Sequence, residues 1–435
     1  ELEDLAVLIS SGAGVDGQVA VLLNLGNMNG EWQGFQLDAI YSSQGAEPVA
    51  IEIVDLFDAS GNPGTDGSGD LVIAHLGEAT DQIRSRANNG DGAFGSPGSV
   101  SLTIQNEAGV VLTAVPRGLA KGDTDSDNQD DLLFLGSDGP GVPGVLVVVS
   151  SGSSLSEMCT VPTCDEPSSV DPYRRDVSGQ MNVAVTIPGL SVVEVFENPA
   201  GDGQFVLGGT TPVGGAPFSI EAADLNGDGF QELLTLDAAG SVSILRNEQG
   251  PGDTRVFAPA VSLPLLENAA DSEPVDFTVL DLDNDIDLDI AVIARSDSGP
   301  DRRVRSLRNV GADDQIAFSS PVDLPAQPSG VPALIDRGEI DGDGDEDLVT
   351  VTTGTLTGTL RESGGFVDVL LNSDPCAGCN DADISEPFGV LDLADIGGFI
   401  GGFVGQEPIA DIDGSGIFDL SDINLFVGAF VSGCP

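Results

Sequence analysis

The sequence predicts a mainly β protein: a six-bladed β-propeller, seven-bladed if one long interval holds a degenerate unit, followed by a small α-helical module. Three observations carry this prediction. An acidic loop running into an apolar strand recurs about every 60 residues. Each such strand is followed by a second one ending near Asn, as in Val19–Asn24, Val242–Asn247, Val304–Asn309 and Val367–Asn372, and then by Gly-rich turns with a Phe. The last sixty residues switch to helical spacing and repeat themselves at an offset of 27.

The units follow in order. Asp4-Leu-Ala-Val-Leu opens the chain as a repeat without its loop. A long loop ending in Asp66-Gly-Ser-Gly-Asp70 precedes Leu71-Val-Ile-Ala. Asp123-Thr-Asp125-Ser-Asp127-Asn-Gln-Asp-Asp131 precedes Leu132-Leu-Phe-Leu. Asp224-Leu-Asn226-Gly-Asp228-Gly-Phe-Gln-Glu232, then Asp281-Leu-Asp283-Asn-Asp285-Ile-Asp287-Leu-Asp289, then Glu339-Ile-Asp341-Gly-Asp343-Gly-Asp345-Glu-Asp347 complete the set. The interval between Leu132 and Leu233 is the long one, and it is expected to carry an insertion at about 150–180. The first unit lacks an inner strand and the last its outer strands, so the two ends are expected to close one blade together.

Oxygen-bearing side chains at loop positions 1, 3, 5 and 9 suit calcium, which takes six to eight hard oxygen ligands at about 2.3–2.6 Å. The candidate ligands are Asp66 and Asp70; Asp123, Asp125, Asp127 and Asp131; Asp224, Asn226, Asp228 and Glu232; Asp281, Asp283, Asp285 and Asp289; and Glu339, Asp341, Asp343 and Asp347. Position 6 requires a tight turn, which suits Gly67, Gly229 and Gly344; Asn128 is tolerable there and Ile286 is not a natural fit. The alternative is a set of solvated acidic turns without metal. These units resemble the FG-GAP/VCBS repeat family over roughly residues 1–373. The resemblance implies a calcium-binding propeller and says little about function, because the family serves adhesins, lectin-like proteins and appendages of enzymes.

Residues 376–435 form the second expected domain. Gly389-Val-Leu-Asp392-Leu-Ala-Asp395-Ile396 matches Gly416-Ile-Phe-Asp419-Leu-Ser-Asp422-Ile423, and Phe399 and Phe403 match Phe426 and Phe430. Ahead of the second helix, Asp411, Asp413, Ser415, Asp419 and Asp422 have the spacing of an EF-hand-like calcium loop. The segment resembles dockerins, in particular the short planctomycete type ending in Gly-Cys-Pro, here Gly433-Cys434-Pro435. Its first loop departs from that pattern, since Ile384 falls where an Asp belongs. The resemblance implies a protein partner, either a cohesin-like receptor or another copy of the chain, docked on helix residues that include Ile396, Phe399, Ile423 and Phe426.

Charge bounds the partners. With 15 Lys+Arg against 71 Asp+Glu, the formal charge is -56, which excludes nucleic acid and anionic membrane as natural partners. Apolar residues reach 40 %, too many for a disordered acidic tail, and bound cations are the obvious relief for the self-repulsion. The longest apolar runs, such as Val145–Val149, are too short for membrane insertion. The five cysteines read as local staples in an oxidising, extracellular compartment, with Cys159–Cys164 and Cys379–Cys434 as expected pairs and Cys376 as the odd thiol, or with Cys376 and Cys379 exchanged. The chain begins at Glu1 without Met, which reads as a mature or trimmed form of a secreted protein.

Catalytic patterns are scarce. His75 is the one histidine and follows a strand, and no nucleophile elbow, phosphate loop or dinucleotide fingerprint stands out. One Trp (Trp32) and two Tyr (Tyr41, Tyr173) leave few rings for stacking sugars. The expectation is therefore a structural or adhesive protein of the cell surface or matrix that assembles through protein contacts, homopolymeric fibres being one form of assembly, and is not an enzyme. The alternative is a polysaccharide-binding or polysaccharide-cleaving propeller, a lyase or hydrolase.

Overall fold

One strand of each unit is apolar without interruption, and that pattern sets the architecture. Leu71–Ala74 and Leu132–Leu135 are fully buried. A strand covered on both faces has no polar side to alternate with, so each sheet must be packed between two others. The computed structural model describes residues 3–9, 15–28, 31–58, 65–76, 83–90, 93–99, 115–137, 144–150, 156–175, 180–249, 255–265, 272–283, 285–296, 302–311, 316–324, 331–353, 366–372, 393–405, 410 and 420–432. They divide into two compact units. The first is Glu1–Asp281, Ile286–Gly342 and Glu346–Leu370; the second is Leu371–Pro435 with the loop segments Leu282–Asp285 and Asp343–Asp345.

The first unit is a seven-bladed propeller of antiparallel meanders. Blade 1 consists of Leu5–Ile9, Asp16–Asn24 and Phe35–Ala46, and blade 2 of Pro48–Val54, Asp70–His75, Ile83–Asn88 and Phe94–Ser99. Blade 3 consists of Val115–Gly122, Asp131–Ser137, Val145–Ser150 and Ser156–Pro162, and blade 4 of Val170–Arg174, Met181–Ile187, Val192–Glu197 and Val206–Pro212. Blade 5 consists of Pro217–Ala223, Glu232–Asp237, Ser241–Leu245 and Val261–Pro264, and blade 6 of Ser272–Leu280, Asp289–Ser296, Arg302–Leu307 and Val322–Asp323. Blade 7 consists of Val331–Gly338, Asp347–Thr353 and Phe366–Leu370. Each core layer lies between two blades. Val54, Leu56, Phe57 and Val72 of blade 2 meet Leu132, Phe134 and Val147 of blade 3, while Leu234, Leu236 and Ile244 of blade 5 meet Phe277, Val279 and Val292 of blade 6.

The long interval holds a whole blade, the fourth, so the seven-bladed alternative is the one that holds. The expected insertion supplies Ser156–Pro162 to blade 3 and Val170–Arg174 to blade 4. Blade 4 escapes sequence recognition because Asn182 stands where other blades have an acid; its Oδ1 accepts the amide of Asn198 at 3.1 Å. The expectation that the chain ends close one blade together is corrected. Among the described residues, Leu5–Ile9 pairs with Asp16–Asn24, and Phe366–Leu370 with Asp347–Thr353, in two separate three-stranded sheets. Hydrogen bonds join them instead. Asn24 Nδ2 donates to the Ile340 carbonyl at 2.6 Å, Asn27 Nδ2 to that of Asp341, and the Glu3 amide to that of Glu339 at 3.5 Å.

In the second unit, helices α1 (Leu393–Gly405) and α2 (Leu420–Ser432) follow the spacing read from the sequence. Phe399 and Phe426 stack at 4.1 Å and 12°, with Ala410, Ile396, Phe403, Ile423 and Phe430 around them. Ile396, Phe399, Ile423 and Phe426, expected on a docking face, are thus the helices' own core.

Candidate metal centres

Each acidic loop begins directly after an inner strand, where the meander reverses. The first residue accepts backbone amides from further along the loop, the fifth and sixth in blades 3 and 5, and closes the turn. In blade 3, Asp123 accepts from Asp127 N (3.1 Å) and Asn128 N (3.0 Å), and Asp125 also accepts from Asp127 N (3.2 Å). In blade 5, Asp224 accepts from Asp228 N (3.2 Å) and Gly229 N (2.8 Å), and Asn226 from Asp228 N (3.1 Å). In blade 6, Asp281 accepts from Ile286 N at 2.7 Å. Glu339 of blade 7 accepts from Gly342 N, also at 2.7 Å. Position 6 is left-handed throughout, at φ 84° for Gly229, 101° for Gly344, 66° for Asn128 and 80° for Ile286.

Blade 2 obeys the same rule through a residue the sequence reading missed. Asp55 follows the inner strand Pro48–Val54 and accepts from Asp66 N (3.1 Å) and Gly67 N (2.7 Å). It is the first loop position, separated from Asp66 by a long excursion. The signal that could have found it is its place directly after an inner strand, which Asp123, Asp224, Asp281 and Glu339 share.

The donor sets fit a hard divalent cation. Carboxylate oxygens of Asp123, Asp125 and Asp127 lie within 4.8 Å of one another, as do those of Asp281, Asp283 and Asp285, and of Glu339, Asp341 and Asp347. Oxygens sharing one calcium at about 2.4 Å can be no more than about 5 Å apart. The crowding has an electrostatic mark: burial, and then Asp127 and Asp123, push the Asp125 carboxyl above its usual range. A bound cation would supply the missing counter-charge. Asp343 serves its loop locally, accepting Asp345 N at 3.0 Å. Asp411, Asp413, Ser415 and Asp419 lie outside the described residues. Asp422 falls within α2.

The ninth-position acids have a further task. Asp70, Asp131, Glu232, Asp289 and Asp347 are fully buried. Asp70 accepts the amides of Leu56, Phe57 and Asn88 at 2.7, 2.7 and 2.8 Å. Glu232 accepts those of Leu225 (3.1 Å) and Asn247 (3.2 Å), Asp289 that of Asn309 (2.6 Å), and Asp347 that of Ile340 (3.0 Å). Asp70 and Glu232 thus tie the loop to the Asn at the end of the third strand. That Asn reaches the preceding blade: Asn198 Nδ2 donates to the Thr124 carbonyl (2.6 Å), Asn309 to Leu225 (2.8 Å) and Asn247 to Arg175 (3.0 Å). Asn24 does the same at the ring closure, so loops and blade seams are one hydrogen-bonded system.

The expected Cys159–Cys164 pair is corrected: Cys164 is a free thiol. Cys159 stands in the strand Ser156–Pro162. An extended chain rises about 3.3 Å per residue, and a disulfide needs Cα atoms within about 7 Å. Cys164 N instead donates to the buried Glu194 (3.2 Å). Cys376, Cys379 and Cys434 lie outside the described residues. His75 is fully buried.

A model of the FG-GAP-like repeat family matches residues 224–292, from the loop of blade 5 into the second strand of blade 6. No curated protein sequence matches the chain. Among solved structures, it resembles an Agrocybe aegerita lectin described as recognising non-reducing terminal N-acetylglucosamine, at 15 % identity over 85 % of this chain and 94 % of that one (TM-score 0.47). It also resembles BBS1N, solved with ARL6DN (12 % identity, 81 % and 84 % coverage, TM-score 0.48), and a putative 6-phosphogluconolactonase from Bacteroides fragilis (11 %, 74 % and 81 %, TM-score 0.47). The expectation that the chain is not an enzyme is corrected on this point. Propellers of this kind include putative lactonases, so the fold does not exclude catalysis, and equally it does not establish it. No helix among the described residues is long and apolar enough to cross a membrane.

Proposed function

We propose that this chain is a secreted, calcium-dependent propeller serving as an adhesive or structural module of the cell surface or matrix, attached through its C-terminal helices. The observation that carries the calcium reading is the convergence of the Asp123, Asp125 and Asp127 carboxylates, repeated in two further loops. Each ion that binds only the folded state stabilises it by mass action, by about 2.7 kcal/mol at a hundred times Kd. Attachment is supported by an apolar ridge in the second unit. Ile400 and Val404 of α1 are 57 % and 79 % exposed, and Val427 and Val431 of α2, their equivalents under the 27-residue duplication, are 51 % and 79 % exposed. The likeness of this segment to dockerins favours a cohesin-like receptor or another copy of the chain as partner.

Two measurements test the reading. Thermal unfolding in chelator should show a large drop in Tm, restored by calcium and poorly by magnesium, which prefers a smaller octahedral shell; superimposable curves would end the calcium reading. Truncation after Asn372 should leave a folded propeller that no longer attaches or polymerises in calcium. If the truncated form behaves like the full chain, the helices are not the attachment point. Binding to a glycan array would favour a polysaccharide partner instead.

A further inference from the structure

Blade 1 begins one strand late. In blades 2, 5 and 6 the ninth-position acid heads the second strand and accepts the amide of the Asn that closes the third: Asp70 from Asn88 at 2.8 Å, Glu232 from Asn247 at 3.2 Å and Asp289 from Asn309 at 2.6 Å. Asp4 accepts the Asn24 amide at 2.8 Å in the same way, which makes Leu5–Ile9 a second strand. It packs, as a second strand does, on the inner strand of the next blade, Pro48–Val54. Blades 2 to 7 each have an inner strand ahead of the second. In blade 1, among the described residues, nothing pairs with the edge of Leu5–Ile9 that lies away from Asp16–Asn24. Burial records the gap. The second strands of blades 2 and 3 are buried throughout, whereas Leu5, Ala6, Val7 and Leu8 are half-buried and Ile9 is 39 % exposed.

Both neighbouring blades present side chains to this gap. Side chains opposite one another on paired strands share a face. Ile53 pairs with Leu71, which packs toward blade 1, and is itself 39 % exposed. Residues one and three beyond the ninth position face the preceding blade, as Leu71 and Ile73, Leu132 and Phe134, and Ile290 and Val292 do. Val349 and Val351, two and four beyond Asp347, therefore face the following blade, and so do their partners Asp336 and Leu334. For blade 7 the following blade is blade 1, and on this face Leu334 is 41 % exposed and Asp336 is exposed. Glu3 Oε2 lies where a Cβ on Gly338 would point.

Asp336 also stands in a register with a set task. Glu52, Asp171 and Glu221 each pair, like Asp336, with the residue two beyond the ninth position. Each reaches the next inner strand. Asp171 accepts the Ala222 amide at 2.6 Å, Glu221 is hydrogen-bonded by the Val279 amide, and Glu52 meets Lys121 Nζ at 3.7 Å. Asp336 has no next inner strand among the described residues and accepts the adjacent Arg337 amide at 2.9 Å. We propose that the gap is a docking groove for an extended strand of another protein, which pairs antiparallel with Leu5–Ile9, donates an amide to Asp336 and sets a Lys or Arg beside Asp336 and Glu3. Charge selects this occupant. Residues 373–392 of the chain carry Asp374, Asp381, Asp383, Glu386 and Asp392 and no Lys or Arg, and a second copy brings a further -56.

Two peptides test this on the full chain in saturating calcium, with hydrogen exchange as the readout. One has the sequence of Val115–Gly122, the inner strand that carries Arg117 and Lys121 and no acid; the other has that of Pro217–Ala223, which carries Glu221 and no base. In the free monomer, amides within Leu5–Ile9 should exchange at least about tenfold faster than those of Leu71–Ala74, because an open edge opens locally. The basic peptide at saturation should slow them at least about tenfold, and the acidic one should bind at least about tenfold more weakly. Asp336→Ala should weaken the basic peptide at least about tenfold, the worth of one hydrogen bond to a charged acceptor. If that variant does not fold, N-methylation of the peptide's Lys121 amide, which removes the donor and keeps the charge, should produce the same loss. Slow exchange in the free monomer would mean that the chain fills its own gap, and protection gained only on self-association that a second copy does. Either result overturns the proposal, as does an edge that ignores both peptides, equal binding of the two, or full affinity without Asp336 or the donor amide.

Discussion

At the residue scale, Ile286 is the clearest departure from what its position demands. Its backbone is left-handed at φ 80° and its side chain is 89 % exposed. A left-handed L-residue costs about 1–2 kcal/mol, and a β-branched one is poorly suited to that region. The cost is tolerated because the Ile286 amide must point at Asp281, which accepts it at 2.7 Å. Ile286→Asn should raise stability by about 1 kcal/mol in urea unfolding, with Ile286→Gly gaining less because glycine leaves a freer unfolded chain. A destabilised Ile286→Asn chain would show that this conformation carries no strain. Asp55 makes the complementary point: it occupies the first loop position of blade 2 although its partner Asp66 is eleven residues away in sequence.

At the scale of the element, the third strand of a blade matters for where it ends. In blades 5 and 6 its terminal Asn gives its amide hydrogen to a ninth-position acid and its side chain to the blade before. Asn309 is 1 % exposed and its Nδ2 reaches the Leu225 carbonyl at 2.8 Å. Asn309→Ala should cost about 1–3 kcal/mol, the usual penalty for leaving a buried acceptor unsatisfied. Asn88 bonds Gly69 within its own blade, at 3.1 Å, so Asn88→Ala should disturb blade 2 alone. Hydrogen exchange comparing the blade 5 and blade 6 cores separates the two cases. A loss confined to blade 6 in Asn309→Ala would deny the fastening role.

At the scale of the whole molecule, charge and metal have to be considered together. A formal charge of -56 opposes a compact state, and salt screens it over about 8–10 Å near physiological ionic strength. In chelator, Tm should therefore climb steeply as sodium chloride is raised from low ionic strength. With calcium bound, the repulsion within the loops is relieved while the rest of the surface stays acidic, and the same series should climb less steeply. Equal salt dependence in both conditions would mean that repulsion within the loops is not what calcium relieves.

The sequence by itself determined whatever depends on near neighbours. Loop ligand spacing, the apolar second strands, the helical spacing of Leu393, Ile396, Ile400 and Phe403 and of Leu420, Ile423, Val427 and Phe430, and the poor fit of Ile286 were all legible, because ligand geometry, strand pleat and helix pitch act over a few residues. The tertiary structure alone decided what depends on residues far apart in the chain. It placed Asp55 opposite Asp66 and turned the long interval into blade 4. It closed the ring through Asn24 on Ile340, 316 residues apart, rather than through a shared strand. It also turned the expected docking residues of α1 and α2 inward, because two short apolar helices bury their own rings before they have any to offer a partner.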